Sequence, residues 1–223
     1  DFFFTVDAYL GQELFFTSNV KHLYIYNDQD HIDEWRFYDE KGYKEYYYPQ
    51  KGTYIDMFGY IPRGYVTVTQ AYPPSFTVNM PNNEQTDLKE FMYAYAPGQS
   101  ADNAGPVDLV FEHPFTAIRF VVKQSHRNLK INSIGFQNLK CKGTCSISED
   151  KTATWTPDNP QTMTIPIGKT IPNDINFGGP IGDTYLVIPQ EFTDGLALYI
   201  DYNWDNNDGN NQNDHYVPSI LLS

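Results

Sequence analysis

Short runs of alternating apolar and polar residues, each closed by Pro, Gly, Asn or Asp, recur along nearly the whole chain. Side chains of a strand point alternately to opposite faces, so a period of two calls for half-buried sheet rather than a helical stripe. Leu23-Tyr24-Ile25-Tyr26 runs into an Asp-rich turn. Residues 54–60 and Tyr65-Val66-Thr67-Val68-Thr69 are split by Ile61-Pro62-Arg63-Gly64, and Ser75-Phe76-Thr77-Val78 follows Pro73-Pro74. Further on, Val107, Leu109 and Phe111 point one way with Asp108 and Glu112 opposite, and Ile118, Phe120 and Val122 alternate with Arg119 and Lys123. Leu129 and Ile131 share one phase while Ile134 and Phe136 take the other, which predicts a bulge near Asn132-Ser133. Residues 152–156, 162–167, 185–188 and 196–200 complete the series. Many short strands at such spacing specify an all-β sandwich or barrel.

One segment competes as helix. Leu88, Phe91, Met92 and Tyr95 fall at helical spacing, and Asp87 with Glu90 resembles a capping box. The stretch from Ala96 to Pro106, rich in Gly, Pro, Ser and Asn, reads as a linker, so a boundary is expected between an N-terminal domain, 1–105, and a C-terminal domain, 106–223.

The 223 residues suffice to bury a core in one large or two small domains. Aromatics reach 16%, with 18 Tyr and 15 Phe, which again favours pleated sheet. A formal charge of −13 with no basic stripe sets the chain against phosphate backbones and anionic lipid, so nucleic acid is not an expected partner. No stretch approaches the ~20 apolar residues of a membrane-spanning helix. The start, Asp1-Phe2-Phe3-Phe4, lacks Met and a basic region and reads as a trimmed end of an exported protein.

Cys141 and Cys145 flank Lys142-Gly143-Thr144, a turn-like sequence that either brings the two into a disulfide or leaves two free thiols. One Cys-x3-Cys pair supplies half of a zinc site at most. Gly168-Lys169-Thr170 ends like a phosphate loop, but Met163 stands where the first Gly is required. His22, His31, His113, His126 and His215 are scattered singly, and no nucleophile-elbow or zinc-helix motif occurs. The chain therefore reads as a non-enzyme without cofactor or metal. Asp28, Asp30, Asp33, Glu34, Asp39 and Glu40 read as solvated turn residues, although two carboxylates facing one another would suit glycoside hydrolysis. The Asn- and Asp-rich stretch 205–214 misses calcium-loop spacing and reads as a long hairpin loop with at most weak Ca²⁺ affinity. Tyr43, Tyr46, Tyr47 and Tyr48, with Trp35, either pack on a half-buried sheet or stack on sugar rings.

The order of several motifs resembles a known family. Phe91-Met92-Tyr93-Ala94, followed after a Gly/Pro break by Val107-Asp108-Leu109-Val110-Phe111-Glu112-His113-Pro114 and then Phe115-Thr116-Ala117-Ile118-Arg119-Phe120, is similar to the fimbrillins of type V pili. So are Tyr46-Tyr47-Tyr48-Pro49 leading into Met57-Phe58-Gly59-Tyr60-Ile61-Pro62, and the late Leu186-Val187-Ile188-Pro189-Gln190. The resemblance implies two tandem transthyretin-like β-sandwich domains and export as a lipoprotein to the bacterial cell surface, fimbrium or outer membrane. It also implies a role as stalk, tip or anchor subunit of a pilus, polymerising with other pilins by donor-strand exchange and mediating adhesion to host or bacterial surface ligands. Membrane attachment would come only through a lipid anchor upstream of Asp1. In such exchange an extended segment of one subunit fills the groove of the next. Phe2, Phe4 and Val6 alternate suitably at one end, and Val217, Ile220 and Leu222 at the other. The Trp-x-x-Gly-x-x-Tyr-like strand that ends family members is not found after Trp204, so that either the chain is shortened or its last strand is 216–222. The alternative function is a monomeric carbohydrate-binding surface lipoprotein.

Overall fold

Aromatic and β-branched residues in runs too short and too alternating for helix give a computed structural model made of strands, fifteen of them among the described residues. The structure describes residues 3–26, 31–81, 89–102, 105–122, 128–172, 178–191, 195–205, 211–212 and 220–221, with backbone alone at 31, 204–205, 211–212 and 220–221. The chain forms two compact units. Unit 1 comprises Asp1–Thr77, Glu90–Pro114 and Thr144–Thr154; unit 2 comprises Val78–Lys89, Phe115–Gly143 and Trp155–Ser223.

Unit 1 is built on a six-stranded antiparallel sheet. Its strands are β1 (Phe3–Leu10), β2 (Glu13–Tyr26), β3 (His31–Asp39), β4 (Gly42–Tyr43), β5 (Ile55–Tyr60) and, later in the chain, β8 (Tyr93–Gln99). The order is β4-β3-β2-β1-β5-β8, which sets β1 in the interior. Asp7 lies opposite Thr17 of β2 and Phe58 of β5. On one face Phe4, Val6 and Ala8 join Val20, Ile55, Met57, Ile61 and Ala96, and Val107, Leu109 and Phe111 cover them. On the other face Phe58, Phe76 and Phe91 are fully buried. There the rings of Phe76 lie 4.7 Å from Phe91 and 5.7 Å from Tyr93, and Phe58 lies 6.0 Å from Tyr93. Each such ring removed from water contributes roughly 1.5–3 kcal/mol. The second layer is β6 (Val66–Thr69), the start of β7 (Ser75–Asn79) and the end of β10 (Leu129–Ile147), joined by Thr77 to Thr144 and by the Ile147 amide donating to the Pro74 carbonyl.

In unit 2, residues 129–137 of β10 pair with β13 (Ala197–Asp205), and β11 (Ala153–Ile171) pairs with β10. β13 also pairs with β14 (Asn211–Gln212) and β15 (Ile220–Leu221). A two-stranded sheet joins β9 (Thr116–Val122) to β12 (Gly179–Val187). Ile131, Ile134, Ile171 and Ile181 form a core into which Phe120, Leu198 and Ile200 pack. The β10–β13 register slips between Ile131 and Ser133, where the change of hydrophobic phase predicts a bulge.

Five sequence expectations need correction, the first being that Asp33, Glu34 and Asp39, read as turn residues, lie in β3. The helix over Leu88, Phe91, Met92 and Tyr95 is not formed: Leu88 lies outside the described residues, and Tyr93 to Ala96 are strand, buried on both faces, where alternation disappears. Residues 107–111 are extended but unpaired in a ladder; Glu112 alone bridges to Tyr93, while Val107, Leu109 and Phe111 cover the sheet as their alternation implies. Lys142-Gly143-Thr144 is not a turn but the middle of β10. The boundary expected at 105/106 falls inside the segment Glu90–Pro114, which belongs wholly to unit 1; the chain passes between units at 77/78, 89/90, 114/115, 143/144 and 154/155. The Gly/Pro-rich stretch opens with the end of β8 and a turn at 101–102, since turn chemistry reports backbone bends and not which core a segment joins.

Candidate functional site

The terminal candidates for strand exchange occupy different environments. Phe4 and Val6 are buried, at 6% and 1% exposure, in the ladder between β2 and β5. Phe2, Val217 and Leu222 lie outside the described residues. Ile220 pairs with Leu198, which places the short β15 within the expected 216–222 and against β13.

Burial of β1 carries an anomaly. Asp7 has no exposed surface, and its Oδ1 accepts a 2.6 Å hydrogen bond from Thr17 Oγ1. Its Oδ2 and the neighbouring Tyr9 hydroxyl meet no hydrogen-bond partner among the described residues. Desolvation pushes the Asp7 carboxyl up from 3.8, with the Thr17 and Gln70 side chains opposing. The same burial, reinforced by the Asp7 charge, raises Tyr60 to about 12.

Cys141 and Cys145 are both free and buried. Four residues apart on one extended strand, their Cα atoms stand about 13 Å apart by the rise per residue, beyond the ~7 Å limit for a bridge. Burial pushes the Cys145 thiol up to about 12 and raises that of Cys141 as well.

The tyrosine cluster separates into two groups. Tyr46 stacks on Phe16 at 3.9 Å and meets Phe37 edge-on at 5.0 Å, with the Lys44 ammonium 4.9 Å above its ring, so it is a packing residue. Tyr48 packs against the core. Tyr43, Tyr47 and Trp35 remain exposed, and a groove of about 500 Å³ is lined by Trp35, Tyr43, Glu45 and Tyr47. The Tyr47 hydroxyl donates to Glu45 Oε2 at 2.7 Å, and that carboxylate raises the Tyr47 pKa. Sequence reasoning passed over the neighbours of Trp35. His22 stands directly opposite Trp35, and Tyr24 opposite Asp33. The signal was present as His-x-Tyr-x-Tyr across from Asp-x-Trp, two runs whose alternate residues share one sheet face.

These features define an all-β protein whose distinctive chemistry is displayed on exposed sheet faces. The chain belongs to the fimbrillin-like family, whose sequence model matches residues 12–215. Two solved structures resemble it. One is a protein of Bacteroides uniformis assigned provisionally to cell adhesion, 17% identical, with a TM-score of 0.50 over 89% of this chain and 72% of that one. The other, with the same provisional assignment, is from Bacteroides ovatus, 14% identical, with a TM-score of 0.48 over 94% of this chain and 77% of that one. No curated protein matches the chain in sequence at a significant level.

Proposed function

We propose that this chain is a structural, non-enzymatic subunit, tip or anchor protein of a bacterial cell-surface pilus, assembling with other pilins and serving adhesion. The observation that carries the reading is the family match over 12–215, to which the provisional adhesion assignment of the Bacteroides uniformis protein adds support. Polymerisation by strand exchange is the mechanism that fits the terminal segments. A donor strand must bury alternate apolar side chains and satisfy ladder hydrogen bonds on both edges. β1 does both within its own unit, with Phe4, Val6 and Ala8 on the core face and partners on either side. A segment of that pattern is what a subunit lacking β1 would accept. At the other end, Ile220-Leu221 pairs with β13, so an apolar segment there can also take a place in a ladder. Attachment to the outer membrane through an upstream lipid belongs to the same reading.

The test compares the full chain with one lacking residues 217–223 and one lacking residues 1–9, by electron microscopy and light scattering. Loss of polymers on either deletion, with the shortened chain lacking residues 1–9 capturing a synthetic peptide of residues 1–10, is the expected result. Polymers that form unchanged from both deletions would exclude strand exchange through these termini.

A further inference from the structure

The β2–β3 surface of unit 1 carries a row of rings that continues the core outward into solvent. Phe4 is buried, and Trp35 stands 5.4 Å from it, centre to centre, yet keeps 47% of its surface open. His22 lies 5.1 Å from Trp35, and Tyr24, 59% open, lies 6.4 Å from His22 with the two rings inclined by 25°. Register accounts for the row: residues directly opposed or two apart on neighbouring strands share a face. Asp33, opposite Tyr24, brings its Oδ1 to 2.6 Å from His22 Nε2. A carboxylate and an imidazole thus sit beside two exposed rings, and Trp35 also walls the groove that ends at Glu45 and Tyr47.

We propose that this face binds a neutral carbohydrate chain, with pyranose rings stacked on Trp35 and Tyr24 and hydroxyls bonded to Asp33 and His22. A pyranose presents polarised C–H bonds on one face and hydroxyl donors around its rim. The C–H face complements the negative face of an aromatic ring, and the rim complements a carboxylate acceptor. Phe4 and His22 hold the Trp35 indole in place, so little side-chain freedom is lost on binding. Charge selects among sugars: Asp33 on the face and a chain charge of −13 disfavour sulfated and uronic-acid glycans, while the cations that line the groove beside Glu45, Arg36 and Lys44, are engaged by Glu34 and Asp39. A protein partner is the poorer fit, since a stable interface buries about 800 Å² per side around a mainly apolar centre. The row of rings has the polar Asp33–His22 pair in its middle. The inference does not rest on pilus assembly, and either can fail without the other.

The full chain should be applied to an array of gluco-, xylo-, manno- and N-acetylglucosamine oligomers beside sulfated and uronic-acid glycans, followed by calorimetry with the best neutral ligand. The expected result is neutral-oligomer binding, weakened about tenfold by Trp35→Ala and about fivefold by Tyr24→Ala or Asp33→Asn. Tyr54→Ala, which removes an exposed tyrosine next to β5, should leave it unchanged. Trp35→Ala also strips a contact from Phe4; if that variant does not fold, Tyr24→Ala and Asp33→Asn, both at exposed side chains, decide the matter. Absence of neutral-oligomer binding, preference for acidic glycans, or binding unchanged in both exposed-site variants would overturn the proposal. So would sedimentation showing self-association that Tyr24→Ala abolishes, because a second copy would then occupy the face.

Discussion

Tyr199 lays its ring across Gly135, the residue directly opposite it in the β10–β13 ladder. A methyl group at Gly135 would sit within the Tyr199 ring, whose hydroxyl is hydrogen-bonded to Thr164 Oγ1. Glycine in a strand interior weakens it unless an aromatic neighbour covers the gap, which is what Tyr199 does. Gly135→Ala should therefore destabilise unit 2 by about 1–3 kcal/mol, the range for overpacking. In a Tyr199→Ala background the same substitution should cost clearly less. A double-mutant cycle by chemical denaturation measures this, and equal costs in both backgrounds would refute the steric coupling.

Asp7 should make the stability of unit 1 depend on pH in an unusual direction. Its folded pKa is raised above the ordinary 3.8, so its contribution to stability is full below that value and is lost as pH rises through the folded pKa. Above that pKa the charge is buried with one oxygen lacking a donor among the described residues. Asp7→Asn keeps an acceptor for Thr17 and removes the charge, so it should stabilise the protein by about 1–2 kcal/mol at neutral pH. The difference between variant and parent should shrink as pH falls toward 3.8, as unfolding midpoints across that window will register. A variant less stable than the parent at neutral pH would contradict the assignment.

Strand positions were legible because exposed strands alternate, and the Asn132-Ser133 bulge because it shifts that alternation between Ile131 and Ile134. The platform face was only half legible: Trp35 stands out, but Tyr24 and Asp33 join it through cross-strand register, which one sequence does not display. The helix expectation failed where alternation is lost. Tyr93, Ala94, Tyr95 and Ala96 are buried on both sides, and Phe91 at i−2 from Tyr93 serves the same aromatic layer as Phe76, producing an accidental helical spacing. Gly143 misled for a different reason. It is a strand glycine because β11 passes close: a Cβ there would stand 3.0 Å from the Thr156 carbonyl oxygen.

The two cysteines should behave as inert thiols. Their spacing along β10 forbids a bridge, and burial holds the Cys145 thiol near 12, far from thiolate at neutral pH. Thiol reagent should react slowly with the native protein and label two sites after denaturation, with the intact mass unchanged by reductant. A mass gain of two hydrogens on reduction would reveal a disulfide and require β10 to break between the two positions.

The segment 107–111 should carry stability on alternate residues, although it forms no ladder. Phe111 meets Phe4 edge-on at 5.1 Å, and Leu109 sits over Gly59, where a methyl would come within 3.3 Å of Leu109 Cδ1. Val110, between them, is 75% exposed. Truncating Phe111 or Leu109 to Ala should cost about 2 kcal/mol each, at the low end of the range for buried leucines and below that for buried phenylalanines, because both are only partly buried. Val110→Ala should stay within about 0.5 kcal/mol. The cover also explains why Gly59 is small: Gly59→Ala presses on Leu109, so its cost should fall when Leu109 is already Ala. Equal losses at positions 109, 110 and 111 would mean that the segment acts through backbone order alone, and that the sheet face bearing Phe4 is closed by something other than these side chains.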